Sequence, residues 1–570
     1  MGDPPVYRLK LIASNGTSLA SSRSNHYSGA VTISLGARIP IMRITRRQAL
    51  ALLATATPAI RSAYAQQNQI TVTPGPFTGT EKSLQAYRFP AWFNDAKFGI
   101  WAHWGPQSSV EYGDWYARNM YIEGSGQYNY HVETYGHPSK FGYKDLVPQF
   151  KAARWDPDHL IDLYVKAGAK YFFSMGVHHD NYDMWNSKYQ PRWNAAASGP
   201  KRDIVGEWAT AARKRGLRFG VSEHLSNSYD WLAPAHLSDT TGPLAGVPYD
   251  GSDPAFADLY HDYSGQPADF AKTAKAMGRV APDRWKLQYF RRIKDLVDQY
   301  QPDLLYTDGG IPFDEYGYST VAEVYNVSAA KHNGKVESIY FSKTADNCAI
   351  GTCALDRERG VLEGISAAPW QTDTCIGDWH YKRGVAYKTP KKVIDLLVDI
   401  VSKNGNLLLN FPLPNSGELD FAEREVLAGI TEWMTVNSEG IYATRPWKIY
   451  GEGPSTKVVI KKTGQEFDPN EGKKPDLTAS DIRFTTKGST MYAFIQGWPE
   501  GSQGAAEGSA AVPSLGTNSA QNPPKITGAT LLGQDQNLKF TQTPTALNVT
   551  LPTNRPPTAN IGITLKLTTA

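Results

Sequence analysis

From Phe89 to about Trp447, short apolar runs alternate with amphipathic stretches of helical period, and few folds accept that alternation. Phe98-Gly99-Ile100-Trp101-Ala102, Tyr171-Phe172-Phe173-Ser174-Met175, Leu217-Arg218-Phe219-Gly220-Val221 and Asp303-Leu304-Leu305 read as strands buried on both faces, as in a parallel sheet covered by helices. Asp203 to Arg215 reads as one such helix: Ile204, Val205, Trp208, Ala211 and Ala212 recur at helical spacing, and Gly216 stands at the stop position. Similar patterns cover Trp285–Gln301, Pro390–Lys403 and Phe421–Val436. The pattern predicts an α/β protein with a (β/α)8-like TIM barrel over residues 66–445.

Past Trp447 the helical period vanishes. Short runs at Ser480–Thr485, Thr490–Gln496 and Leu547–Leu551, separated by Gly, Pro, Asn and Ser, predict a C-terminal antiparallel β-sandwich over residues 446–570. Gly501–Pro524 reads as a flexible excursion within it. Two stretches break the barrel's regular spacing, Leu225–Pro282 and Asn347–Tyr381, and both are expected as long loops over the face that carries the chemistry.

In a parallel barrel that face is the carboxyl end of the strands, and here the strand ends are polar. The first run leads into His103-Trp104-Gly105, the second into His178-His179-Asp180, the third into Glu223-His224, and the fourth into Tyr306-Thr307-Asp308-Gly309. A strand-ending aspartate before two glycines either caps a turn or presents a carboxylate to a pocket. His178-His179-Asp180 also invites a metal reading, but adjacent strand residues point to opposite sides and no His-x-His or His-Glu-x-x-His spacing supports it. The expectation is no metal and no cofactor.

The 570-residue chain carries a formal charge of +4, yet residues 1–65 alone hold a net +7, leaving about −3 elsewhere. No basic surface for nucleic acid is implied. Arg46-Arg47, the apolar run that follows and Ala63-Tyr64-Ala65 have the parts of an export signal of the twin-arginine type over residues 42–65, with residues 1–41 as an upstream over-extension. A periplasmic or secreted location is expected, with no membrane span, because roughly eleven apolar residues cannot cross a bilayer. Cys348, Cys353 and Cys375 are an odd set, and the sequence leaves open whether Cys348 and Cys353 pair.

Read together, Trp92 to Ile100, His103-Trp104-Gly105, Trp115 to Tyr121, His178-His179-Asp180, Gly199 to Asp203 and Asn404 to Asn410 fall in the order found in glycoside hydrolase family 29, the retaining α-L-fucosidases, which this chain resembles from about Phe89 to about Trp447. The resemblance implies an exo-acting enzyme that removes terminal α-L-fucosyl residues from glycans by double displacement. It implies Asp308 as nucleophile, and His103, Asp114, Trp115, His178 and His179, with His224 and Tyr306 less securely, as sugar contacts. Such an enzyme needs a second carboxyl group about 5–5.5 Å from the first. Some relatives carry Trp-Glu before the strand that here reads Pro369-Trp370-Gln371-Thr372-Asp373, and an amide donates no catalytic proton. That leaves Asp356, Glu358 and Glu363. Glu358 is preferred, because its place before this strand resembles that of the acid/base in relatives with Trp-Gln-Thr, and Glu363 is the alternative. The rival readings are a catalytically silent fucose-binding protein, a metal-dependent hydrolase on the same barrel, and a family member acting on a related sugar. An oligomer is compatible with all of them.

Overall fold

The computed structural model describes residues 70–457, 471, 475–500 and 508–570. The export signal expected within residues 1–65 lies outside the described residues. Among those residues, no helix is long and apolar enough to cross a membrane.

Eight parallel strands close into a barrel: β1 (Phe98–Ala102), β2 (Tyr171–Val177), β3 (Arg218–Glu223), β4 (Leu304–Thr307), β5 (Ile339–Ser342), β6 (Ala354–Glu358), β7 (Trp370–Cys375) and β8 (Gly405–Asn410), with β8 pairing back to β1. Every residue of β1, β2, β7 and β8 is buried; the largely apolar β1 and β2 fit the space between barrel interior and helices, whereas β7 buries the polar residues Gln371, Thr372, Asp373 and Thr374. The interior is packed solid. Tyr171 crosses it to hydrogen-bond Gln371 Oε1 at 3.0 Å, and Gly99 makes the crossing possible, since a Cβ there would lie 2.1 Å from the Tyr171 ring.

The outer helices are α1 (Pro157–Lys166), α2 (Ile204–Lys214), α3 (Asp283–Tyr300), α4 (Glu315–Lys331), α5 (Pro390–Ser402) and α6 (Phe421–Asn437). Their ends follow local chemistry: Asp203 caps α2 through the Gly206 amide at 3.0 Å, and Asp420 and Glu423 form a reciprocal capping box at the start of α6. The ring departs from regularity after β5 and β6. Eleven residues separate β5 from β6 and carry only a five-residue turn of helix, Ala345–Ala349, while β6 joins β7 with no helix.

The expected loop Asn347–Tyr381 is therefore corrected: besides the strand expected at Pro369–Asp373, which is β7, it contains strand β6. Ala354-Leu355-Asp356-Arg357-Glu358 holds three charges in five residues, so apolar patterning could not reveal it as a strand. The other expected loop, Leu225–Pro282, is a succession of short helical turns, including Ser228–Trp231, Ala257–Tyr260 and Phe270–Thr273. A disulfide joins Cys348 to Cys353, and Cys375 is a buried free thiol.

Downstream, β9 (Arg445–Glu452), β10 (Ile482–Lys487), β11 (Thr490–Ile495), β13 (Ile526–Leu531) and β16 (Ile563–Thr569) form a five-stranded antiparallel sheet in the order β13-β16-β11-β10-β9. β12 (Ser509–Val512), β14 (Phe540–Gln542) and β15 (Leu547–Thr550) form a second sheet, and Phe484, Leu565, Val512 and Val549 share one apolar cluster between the two. The excursion expected at Gly501–Pro524 is corrected in part: its first seven residues lie outside the described residues, and Ser509–Val512 is a paired strand. The sandwich is keyed to the barrel by α6, whose buried Trp433 donates to the Gly562 carbonyl at 2.9 Å, and by Arg483 on β10, which pairs with Asp399 of α5 at 2.6 Å.

Candidate active site

The carboxyl ends of the strands converge on a cavity of about 830 Å3. His103 follows β1 and is fixed through its backbone amide, which donates to Asn410 Oδ1 of β8 at 2.8 Å. His178 and His179 follow β2, His224 follows β3, Asp308 follows β4 and Lys343 follows β5. Glu358 ends β6, Asp373 lies in β7, and Asp114 and Trp115 come from the β1–β2 connection. Trp115 is held at φ 60°, a left-handed conformation that costs an aromatic residue energy and turns its ring edge-on toward His179 and Trp231.

Asp308 is gripped at both oxygens. His179 Nε2 lies 3.2 Å from Oδ2 and His224 Nδ1 approaches the same oxygen at 3.4 Å, while Lys343 Nζ lies 2.8 Å from Oδ1. Burial alone would push the Asp308 carboxyl up, but Lys343, His224 and His179 outweigh it and hold the group well below the usual carboxylate range. Lys343 in turn stays charged far above its ordinary range: burial opposes the charge, and Asp308, Asp373 and Glu358 more than offset it. Its Nζ also binds Glu358 Oε2, and the other oxygen of Glu358 accepts from Trp379 Nε1 at 3.2 Å. Two carboxylates that share one ammonium approach each other to within about 6 Å, twice an ordinary N–H···O reach.

On the opposite wall the tautomers can be read from the bonds. Gln107 Oε1 accepts the Ala117 amide, so its Nε2 is the donor to His178 Nδ1 at 2.9 Å, and His178 carries its proton on Nε2, facing Asp114 Oδ1 at 3.7 Å. His380 Nδ1 donates to the same Asp114 oxygen at 2.6 Å. Burial and the neighbouring imidazoles keep His103 and His178 well below the usual histidine range, hence neutral. His103 Nδ1 and His224 Nε2 are buried with no partner among the described residues. A wall of neutral imidazoles with open positions beside a carboxylate suits the hydroxyl groups of a sugar.

His178 and His179 both line the cavity because they lie beyond β2, so the strand alternation used against a metal does not apply to them. Ligand atoms of His103, Asp114, His178 and His380 do lie within 4.8 Å of one another. The proton on His178 Nε2 and the donation from His380 Nδ1 already occupy the inward positions, which favours a hydroxyl network over an ion.

His103, Asp114, Trp115, His178, His179, His224, Tyr306, Asp308 and Glu358 all line this cavity. Glu363 does not: it is exposed in the β6–β7 connection. Asp356 is buried in the barrel and accepts from Gln371 Nε2 at 2.7 Å. Sequence reasoning missed Lys343, Asp373, Trp379 and Arg279. Lys343 had a signal, since it ends the apolar run Ile339-Tyr340-Phe341-Ser342, but the others reach the cavity only through tertiary placement.

The sequence pattern of the family described as Alpha-L-fucosidase matches residues 64–439, and that of the Alpha-L-fucosidase C-terminal domain matches residues 474–568. The tissue alpha-L-fucosidase of Rattus norvegicus is 29% identical over 513 residues, covering 87% of this chain and 94% of its own. That of Homo sapiens is 30% identical over 438 residues, covering 75% and 80%. Among solved structures, the Thermotoga maritima alpha-fucosidase in complex with fucose superposes with a TM-score of 0.63 at 25% identity, over 86% of this chain and all of that one. With the barrel and the C-terminal domain each matched, the chain belongs to the α-L-fucosidases of glycoside hydrolase family 29 and is a glycoside hydrolase.

Proposed function

We propose that the protein is an exported, exo-acting α-L-fucosidase that cleaves terminal α-L-fucosyl residues with retention, Asp308 serving as nucleophile and Glu358 as acid/base. The observation that carries this reading is the shared Lys343 contact, which places the two carboxyl groups nearer the spacing of retaining enzymes than the 6.5–9.5 Å or so that inverting enzymes leave for a water. The Thermotoga maritima relative binds fucose, which supports fucose as the sugar in this cavity.

In this mechanism fucose lies against the histidine wall, its hydroxyls meeting His103, Asp114 and His178. Asp308 attacks the anomeric carbon, the glycosidic C–O bond breaks, and Glu358 passes its proton to the departing oxygen. The ester leaves Asp308 neutral. Lys343 then has Glu358 as its closest carboxylate partner, the state in which Glu358 takes a proton from water so that the hydroxide oxygen displaces Asp308 and releases α-L-fucose.

Substitution separates the roles. Glu358→Ala should slow fucosides with poor leaving groups by about 10²–10⁴-fold. Activated aryl fucosides should still form the fucosyl enzyme, and azide should accelerate its turnover to the α-fucosyl azide. Asp308→Gly with azide should form no covalent intermediate. Azide rescue in Glu363→Ala, with Glu358→Ala close to wild type, would overturn the assignment.

A further inference from the structure

Two arginines line the active-site cavity with no carboxylate in direct contact among the described residues. Arg279, carried by the long β3–β4 connection, touches only neutral oxygens: Asn227 Oδ1 at 3.3 Å, the Asp308 carbonyl at 3.4 Å and the Gly310 carbonyl at 3.5 Å. Arg359 follows Glu358; its Nη2 meets Cys375 Sγ at 3.2 Å, its guanidinium lies 5.1 Å from the centre of the Trp379 ring, and its buried Nε has no partner among the described residues. Neither forms an ion pair with a carboxylate among the described residues, whereas Asp308, Glu358 and Asp373 gather around Lys343.

The backbone is shaped to keep them there. Arg279 and Arg359 have φ of 53° and 52°, left-handed values that branched or long side chains adopt at a cost. Gly309, at φ 115°, is where a Cβ would lie 1.4 Å from Arg279 Nη2, so the residue after Asp308 has no side chain and the guanidinium occupies the space. Glu358, Glu471 and Asp378 support the Arg359 charge through space against burial, but they do not fill its donors, and the planar fork of a guanidinium with open donors suits a sulfate or carboxylate.

Position indicates which part of the substrate supplies that anion. The sugar to be cleaved faces the histidine wall, and the leaving oxygen departs toward Glu358, beside which Arg359 stands. We infer that the natural substrate carries an anionic group, a sulfate ester or a carboxylate, on the sugar next to the scissile bond, and that Arg279 and Arg359 bind it. The inference rests on the fucosidase reading above and adds the substrate class.

The test compares kcat/KM at low salt for three fucosides of the same linkage and aglycone sugar: neutral, sulfated and oxidised to the uronate. Wild type should prefer at least one anionic substrate by about 10- to 100-fold, the worth of a hydrogen bond to a charged group. Raised salt should shrink the preference, and Arg279→Gln and Arg359→Gln should each bring the ratio toward one. Preference for the sulfate alone or for the uronate alone identifies the source. A ratio at or below one for both in wild type overturns the inference while leaving the fucosidase intact, as does a preference unchanged in both variants. Hydrolysis of none of the fucosides would overturn the fucosidase reading itself.

Discussion

Lys343 holds two carboxylates that have opposite duties in the proposed mechanism, and its replacement gives a prediction with a definite sign. The ammonium is the main charge holding Asp308 ionised against burial. Without it the Asp308 carboxyl rises, so at a given acidic pH less of it is ionised and able to attack. Lys343→Met should therefore move the acid limb of kcat/KM to higher pH as well as lower its plateau, while wild type should show no loss from Asp308 until well below pH 3.8. A pH–rate profile of the two enzymes checks this; an unmoved acid limb would contradict the ion pair's role. Half of the residues that line the cavity were legible at this scale: the histidines and the aspartate that end apolar runs are local features, while Asp114 and Trp115 were placed by resemblance. Lys343 followed a strand only four residues long, and Trp379 and Arg279 gave no local sign. Glu358 was placed by resemblance, and its partners became visible only once β5, β6 and the β7–β8 connection were brought together.

At the scale of elements, the four expected outer helices were legible nearly to the residue, whereas Pro157–Lys166 and Glu315–Lys331 were not anticipated. Trp285–Gln301 was expected and Asp283–Tyr300 is observed, because a strong apolar stripe marks the helix although no side chain caps its start. β6 failed because its interior-facing Asp356 is buried through a hydrogen bond to Gln371 rather than by apolarity. The same reliance on paired polar groups joins the domains. Asp399 of α5 is buried between Lys403 at 2.8 Å and Arg483 of β10 at 2.6 Å. Burial alone would raise its carboxyl, but the two cations hold it below the usual range. A depressed folded value means the stabilisation is fully present above the ordinary carboxylate range and is lost as pH falls through the folded value. Asp399→Ala leaves two cations facing each other, and should cost about 3–5 kcal/mol at neutral pH. Denaturant unfolding measures it; a change under about 1 kcal/mol would show that the joint lies elsewhere.

For the whole molecule, the division into barrel and sandwich was readable from the change of period near Trp447, whereas the pairing of strands within the sandwich was not, since antiparallel order depends on long-range contacts that short runs do not specify. Export is proposed from Arg46-Arg47 and the apolar stretch after them. Replacing both arginines with lysine should leave an uncleaved precursor in the cytoplasm, seen by fractionation, and normal export of that variant would rule out the twin-arginine route. The central claim is that Asp308 and Glu358 cleave α-L-fucosides through two successive displacements, and the configuration of the first-formed sugar tests it most directly. Proton NMR recorded before mutarotation should show α-L-fucose; β-L-fucose as the first product would contradict the account.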